Sequence, residues 1–370
     1  MMNFFKLLFE VFNKKIILIT FYDLGLGGVQ TGLVDLANEI SNKENTKVIL
    51  FLRAKKKFER TALLSESVSV IYCPQFLPSL IKARYYYLLI LLIFIIRPYS
   101  VFVSLEDTSL FVTKWVKKLK MSTKIIISAN NLMSEEGSHE VKEVRTLFNQ
   151  ADSVLAVSKS TYKDLKNYFK INKPPLVYAP NWTMCKASKV RPYLKRKNDI
   201  VFLGRFDYQK QPELILNFAE ELKNKQFDTR IRMYGSGELT ENLSLKIKEK
   251  KLEKIVSLLP ITKRAYSQLL NSKFIILTSR YEGLPFVLLE AMSAGCVILS
   301  LEAPGVSELV LDGKTGICKE NVTQLADEYI KLCTERENKI YDKLQKLALK
   351  YQKRNYSTHN LKRVAEIIYK

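Results

Sequence analysis

No C-x-x-C pair joins the five cysteines, Cys73, Cys185, Cys296, Cys318 and Cys333, which are odd in number and scattered along 370 residues. That pattern excludes a disulfide framework and a zinc-binding ribbon, and it fits a reducing compartment. D-x-D is absent throughout, so the familiar acidic means of holding a metal-bound diphosphate is missing. The apolar run YYYLLILLIFII at 85–96 has 12 residues, whereas a spanning helix needs about 20. The opening MMNFFKLLFEVFNKK is no signal peptide, because Lys6 and Glu10 interrupt it and no small-residue cleavage site follows. Internal repeats and low-complexity tracts are missing too. So is a basic, aromatic-interleaved motif or recognition helix, and nucleic acid is not an expected partner.

Positive charge is plentiful. Residues 1–182 hold 25 basic and 15 acidic residues and residues 183–370 hold 34 and 22, which together give a net charge of +22. An excess spread over both halves implies a polyanionic partner, such as a membrane surface or a phosphorylated small molecule, or else a solvated Lys-rich surface. In the first 15 residues Asn3, Lys6, Glu10 and Asn13 recur at helical spacing, while Phe4, Phe5, Leu8, Phe9 and Phe12 take the remaining arc. This is the pattern of an interfacial helix with Lys14 and Lys15 beside lipid phosphates, or of a terminal helix packed on its own domain. Residues 85–96 read as a buried helix stopped by Arg97-Pro98 and feeding a strand. Flanking Lys82, Arg84 and Arg97 leave open a segment that dips into a membrane.

β-branched runs alternate with helical patterns: KIILIT (15–20), KVILFL (47–52), VSVIY (68–72), SVFVS (100–104), KIIIS (124–128) and SVLAV (153–157), with helices over Gly28 to Ile40 and Lys159 to Phe169. The series restarts with DIVFLG (199–204), RIRMYG (230–235), KIVSLL (254–259), KFIILTS (273–279) and CVILS (296–300). Apolar runs of this length suit parallel strands covered on both faces, so the chain is expected to be α/β with two doubly wound, Rossmann-like domains and a ligand cleft between them. The break, KASKVRPYLKRKN (186–198), has six basic residues and no acid, as an exposed linker would. The domains are placed at 1–183 and 198–352, with a last helix over 353–370.

Four stretches carry candidate chemistry. In SRYEGLPFVLLEAMSAG (279–295), strand KFIILTS runs into a turn, and a helix starts at Pro285 and ends at Gly295. The amides of Gly283 and Leu284 then lie at a helix amino end, where an anion is favoured, with Glu282 before the helix and Glu290 on its face. The alternative makes Glu282 a capping acid and Glu290 a surface residue. In DLGLGGVQTG, Gly25, Gly27 and Gly28 join a strand to a helix and would let a ligand approach the backbone, or simply form a turn. Gln30 breaks the dinucleotide pattern G-x-G-x-x-G, and no G-K-[ST] follows to make a phosphate P-loop. FLGRFDYQKQP ends a strand at Gly204 and supplies Arg205 and Lys210, two cations suited to a diphosphate or to the ordinary surface. MYGSGEL sets Gly235 and Gly237 at another strand end, where a base or ribose could rest on bare backbone.

Taken together these stretches resemble the large retaining glycosyltransferase family with the GT-B fold and an E-x7-E motif (family 4-like, group 1). Glu282 to Glu290 has that spacing, EGLPFVLLEAMSAG has its usual surroundings, and GVSELVLDGKTGI from Gly305 looks like its following loop. The resemblance implies that Glu282 contacts the donor sugar, Glu290 the nucleotide ribose, and Arg205 and Lys210 the departing diphosphate. By the same likeness Gly27 and Gly28 close over the donor, helped by Gly204, Gly235, Gly237, Gly283, Leu284 and Pro285, and the last helix crosses back onto the first domain. Where the family often has a histidine after the fifth strand, this chain has Asn130 and Asn131, with His139 further on. Asn130 is the candidate on the acceptor side.

The implied reaction is retaining transfer of a sugar from a nucleotide diphosphate sugar, expected to be a UDP-sugar, to a glycan or lipid-diphosphate-linked acceptor of a bacterial envelope polysaccharide. No cofactor or metal is expected. A cytoplasmic protein held at the inner membrane face by residues 1–15 and basic segments would account for the charge. Two rivals stand beside it: a GT-B-fold nucleotide-sugar epimerase, and a basic non-catalytic lipid- or nucleic-acid-binding protein whose binding would be strongly salt-sensitive.

Overall fold

Strands made of Ile, Val and Leu without a polar face are stable only where helices cover both sides, which is the condition of a parallel sheet. The computed structural model describes residues 14–55, 60–73, 81–104, 106–136, 141–173, 175–184, 196–334 and 339–370, and within these the apolar runs form two all-parallel sheets. The chain divides into two units, 1–181 with 358–370 and 182–357.

The first unit begins β1 (Lys15–Phe21), α1 (Gly28–Ser41), β2 (Thr46–Leu52), a 3-10 turn (Thr61–Leu63), β3 (Val68–Tyr72) and α2 (Ile81–Ile96). It continues β4 (Ser100–Val103), α3 (Glu106–Lys118), β5 (Lys124–Ala129), α4 (Met133–Glu136), α5 (Val141–Phe148), β6 (Ser153–Ala156), α6 (Lys159–Lys163), a π turn (Asp164–Tyr168) and β7 (Leu176–Tyr178). The strand order β3-β2-β1-β4-β5-β6-β7 reverses direction between β1 and β4. Register is set by the run itself: β1 pairs with β2 from Lys15 opposite Thr46 to Phe21 opposite Leu52, and every residue of β2 is buried.

The second unit runs β8 (Lys197–Leu203), α7 (Glu213–Asn224), β9 (Ile231–Tyr234), α8 (Thr240–Glu249), β10 (Val256–Leu259), α9 (Ala265–Asn271) and β11 (Ser272–Leu277). There follow α10 (Phe286–Ala294), β12 (Val297–Leu301), β13 (Ile317–Lys319), α11 (Val322–Thr334) and α12 (Lys339–Asn355). Its order, β10-β9-β8-β11-β12-β13, reverses between β8 and β11. The core gathers around Tyr329, whose ring meets Phe274 edge-on at 5.1 Å and Phe227 at 5.7 Å. Its hydroxyl reaches Thr229 at 2.8 Å, so the one polar atom of the ring is satisfied inside the core.

The final helix, α13 (Thr358–Tyr369), completes the first unit. Leu361, Val364, Ala365 and Ile368 make a stripe at helical spacing and are buried. Ser100 Oγ donates to Ile368 O at 2.8 Å, which ties the helix end to β4.

Several sequence expectations shift. The boundary placed at 353 falls inside α12, and the closing helix starts at Thr358. Cys185 and most of the basic linker lie outside the described residues, but Arg196, near the linker's end, is not exposed. Arg196 is 5% exposed and donates to the carbonyls of Leu269, Ser272 and Ala294, so it knits the second unit together before β8 begins at Lys197. The amino-terminal amphipathic pattern, residues 1–13, also lies outside the described residues. Lys15 opens β1, with its ammonium over the rings of Tyr99 at 3.7 Å and Tyr369 at 4.0 Å. α2 is buried on one face only. Tyr85, Leu89, Leu92, Ile93 and Ile96 enter the core, whereas Tyr87, Leu91, Phe94 and Ile95 are exposed. No described helix is long and apolar enough to cross a membrane.

Candidate active site

In open α/β sheets a ligand binds outside the carboxyl ends of the strands where the order reverses. In the second unit that point is bounded by the loop after β8, Gly204 to Pro212, and the loop after β11, Thr278 to Pro285. The two loops are laced together. Thr278 Oγ1 donates to Lys210 O at 3.1 Å and to Gln211 O at 3.0 Å, Arg280 N donates to Gln209 O at 2.8 Å, and Gln209 Nε2 donates to Tyr281 O at 3.1 Å.

This lacing brings Lys210 and Glu282 into a single buried ion pair. Lys210 Nζ lies 2.5 Å from Glu282 Oε1, with the side chains 16% and 7% exposed. Ser279 Oγ donates to the same oxygen at 2.6 Å, and Glu282 N donates to Pro304 O at 3.0 Å. One carboxylate oxygen is therefore fixed by two donors and the backbone of the acid is pinned from behind. A carboxylate withdrawn from water at a switch point, with its charge already matched, is preorganised to receive hydroxyl donors from a ligand.

Arg205 stands on the same loop but is turned outward. Its side chain is 69% exposed, bound to Asp207 at 3.1 Å and to Gln209 Oε1 at 3.0 Å. Asp207 also accepts from Lys210 N at 3.0 Å, which shapes the loop that carries both cations. The pair of cations expected on the diphosphate is thus split: Lys210 is committed to Glu282, and Arg205 is an exposed arm at the loop's rim.

Gly283, Leu284 and Pro285 are buried, and Pro285 is the N-cap of α10 rather than its first residue. α10 is buried nearly all round, through Phe286, Leu288, Leu289, Ala291, Met292, Ser293 and Ala294, which explains why so apolar a segment carries its acids only at the two places it does. Glu290 is half-buried, one turn into the helix. Gly295 closes the helix in the left-handed region at φ 70°, as a C-terminal glycine does.

Gly305 has φ +79°, and a Cβ there would stand 2.1 Å from Glu282 O and 2.4 Å from Gly283 O. The loop after β12 therefore lies against the Glu282 turn so closely that only glycine fits. Gly235 and Gly237 answer a similar demand: added Cβ atoms would meet Gly204 O at 2.0 Å and Phe206 O at 2.3 Å. The backbone they let approach is that of the neighbouring loop, not only that of a ligand. Gly204 itself sits over the Phe202 ring.

Gly27, Gly28 and Asn130 lie in the first unit, at the carboxyl end of its sheet. Gly27 is the extended N-cap of α1 and Gly28 its first residue, while Asp23 Oδ1 accepts from Gly25 N at 2.7 Å. Asn130 donates to Ser104 O at 3.2 Å and to Ser104 Oγ, and accepts from Ser128 Oγ at 3.0 Å, which joins the ends of β4 and β5. His139 lies outside the described residues. Among the described residues no group of three His, Cys, Asp or Glu is arranged to hold a metal ion. Sequence reasoning passed over Ser279, Gln209 and Asp207; the signal for Ser279 was a hydroxyl three residues ahead of Glu282 at a strand end.

Residues 186–353, which fall within the second unit, match the family model for glycosyl transferases, group 1. Among curated proteins the chain is 26% identical over 305 residues, 80% of this chain and 81% of the relative, to the GalNAc-alpha-(1->4)-GalNAc-alpha-(1->3)-diNAcBac-PP-undecaprenol alpha-1,4-N-acetyl-D-galactosaminyltransferase of Campylobacter jejuni. It is 23% identical over 187 residues, 50% of this chain, to the poly(ribitol-phosphate) alpha-N-acetylglucosaminyltransferase of Staphylococcus aureus. The chain spans about half or less of the first curated relatives it matches, at 48%, 37% and 49% of their lengths. Among solved structures, HepE of Anabaena, held with UDP and glucose, superposes with a TM-score of 0.74 at 16% identity, over 96% of this chain and 99% of that one. The two parallel-sheet, Rossmann-like units are those of the GT-B glycosyltransferase fold.

Proposed function

We propose that the protein is a retaining, metal-independent glycosyltransferase that moves a sugar from a nucleotide diphosphate sugar, a UDP-sugar in the first instance, to a glycan or lipid-diphosphate-linked acceptor in the assembly of a bacterial envelope polysaccharide. The observation that carries this reading is the Lys210–Glu282 pair, buried at the switch point of a unit that matches glycosyl transferases, group 1. In the reaction the bond from the anomeric carbon to the diphosphate oxygen breaks, a bond to the acceptor oxygen forms on the same face, and the acceptor hydroxyl's proton passes to the departing diphosphate. Glu282, held by Lys210 and Ser279, would accept from hydroxyls of the donor sugar. Glu290 would serve the ribose. Arg205, free to swing from its exposed position, would meet charge as it develops on the diphosphate, together with the start of α10. Gly27, Gly28 and Asn130 would act from the first unit, on the donor and acceptor sides respectively. The name of the Campylobacter relative, which specifies a PP-undecaprenol acceptor, supports a lipid-linked acceptor, and HepE with UDP supports a uridine donor. Such an acceptor would bring the protein to the inner face of the membrane, where its positive charge is an advantage.

The test is release of nucleotide diphosphate from a panel of nucleotide sugars, with membrane lipid extract as acceptor and EDTA present, against Glu282→Ala. Release from one donor, retained in EDTA and lost by at least about a hundredfold in the variant, is expected. NMR of the product should give the donor's anomeric configuration. Release that is absent from every donor, or equal in the variant, overturns the reading; an altered sugar nucleotide with no acceptor product marks an epimerase.

A further inference from the structure

Two arginines at the carboxyl end of the first sheet have buried nitrogens that no described residue satisfies. Arg53 follows β2, and its backbone N–H donates to Phe21 O at 3.1 Å; Arg60 donates to Leu24 O at 3.0 Å. Arg53 is therefore anchored on the end of β1 and Arg60 on the loop that leaves it. Nε of each is shut off from solvent and has no hydrogen-bond partner. A buried donor left unmatched costs about 1–3 kcal/mol, and more when it belongs to a charged group, so two on one loop call for an acceptor. Neither arginine meets a carboxylate among the described residues. Asp23, the acid of that loop, accepts at Oδ1 from Gly25 N at 2.7 Å and from Gln30 Nε2 at 3.5 Å.

The surroundings choose the acceptor. Arg53 stacks over Tyr22, 5.0 Å from ring centroid to guanidinium, and the charges of Arg84, the first described side chain of α2, and of Arg53 both oppose the burial that raises the pKa of the Cys73 thiol. From Arg84 the exposed residues Tyr87, Leu91, Phe94 and Ile95 follow at spacings that keep them on one face of α2. A planar cationic fork matches a phosphate through paired hydrogen bonds, and the apolar track beginning beside it matches a hydrocarbon chain.

We propose that Arg53 and Arg60 form a phosphate-binding site on the first unit that takes the diphosphate of a lipid-linked acceptor, with its chain along the exposed face of α2. This rests on the reading that the acceptor is lipid-linked. It is tested on the full chain and on Arg53→Gln/Arg60→Gln with three probes: phosphatidylcholine vesicles carrying farnesyl diphosphate, phosphatidylcholine vesicles carrying phosphatidylglycerol, and inorganic pyrophosphate with UDP at saturation. The variant should bind the farnesyl diphosphate vesicles and pyrophosphate at least about tenfold more weakly, the effect of losing one charge-assisted contact. Arg53→Lys/Arg60→Lys, which keeps the charge and removes the fork, should fall between the two and guards against a fold defect in the Gln variant. Weakening confined to phosphatidylglycerol vesicles keeps the phosphate site and assigns it to lipid headgroups. Equal binding of all three probes by wild type and both variants overturns it. UDP binding is followed in parallel: its absence from the wild type would sink the donor reading of the second unit and leave the arginine comparison standing.

Discussion

Lys210 and Glu282 stand 72 residues apart in the chain and meet at 2.5 Å, mostly out of water. Breaking a buried pair by removing one member strands the other charge, at a cost of about 3–5 kcal/mol, whereas replacing both with apolar residues is often close to neutral. Lys210→Met should therefore lower the urea-unfolding free energy by about that amount, and Lys210→Met/Glu282→Met should recover most of it while leaving transfer abolished. The two-residue recovery separates the pair's structural cost from its chemistry. Both residues could be picked out from the sequence, each by its own neighbours. Their pairing could not, because nothing local records that the loops after β8 and β11 close on each other. Ser279 was passed over for a related reason: a serine at a strand end looks ordinary until its hydroxyl is found 2.6 Å from the acid.

At the scale of elements, the turn that carries Glu282 is moulded by its neighbour after β12. Gly305→Ala would place a methyl carbon 2.1 Å from Glu282 O, well inside contact distance, and would force a left-handed backbone on alanine, itself a cost of about 1–2 kcal/mol. It should lower the melting temperature and weaken nucleotide binding together, readable by calorimetry and titration on the same protein. β12 offers a pH test. Burial pushes the thiol of Cys296, just ahead of the strand, up to about 12 from 9.0. The unfolded thiol ionises first, so this contribution is complete below pH 9 and is lost from there towards pH 12 as the unfolded chain releases a proton that the folded one keeps. Unfolding free energy should fall more steeply above pH 9 in wild type than in Cys296→Ala. Long apolar strands and α10 were legible because their burial on all sides is written as unbroken hydrophobicity. The edge strands β7 and β13, three residues each, leave too short a pattern to read, and α2 was taken as buried because a helix with an exposed apolar face has the same composition as one without.

At the scale of the whole molecule, the first unit depends on residues far along the chain. Four buried apolar side chains of α13 leave the first unit if 358–370 are deleted, each contributing about 1.5–3 kcal/mol when large and fully buried. Such a deletion should lower the calorimetric transition of the first unit sharply and leave that of the second, whose core is separate, near its original temperature. The restart of the strand series announced two units, and most of the candidate site motifs fall in the second of them. The return of α13 came with the family likeness, while its start at Thr358 depended on where α12 runs out of buried positions, which only packing decides.

That return also sets an order of events during synthesis. Domains made on the ribosome fold as units from the amino terminus onward. Here the strands made first cannot be sealed until α13 leaves the ribosome, after the whole of the second unit. The half of the protein that is translated first is thus the last to be finished, and a chain released at residue 357 would hold every residue of the second unit while the first stayed open at the face that α13 covers.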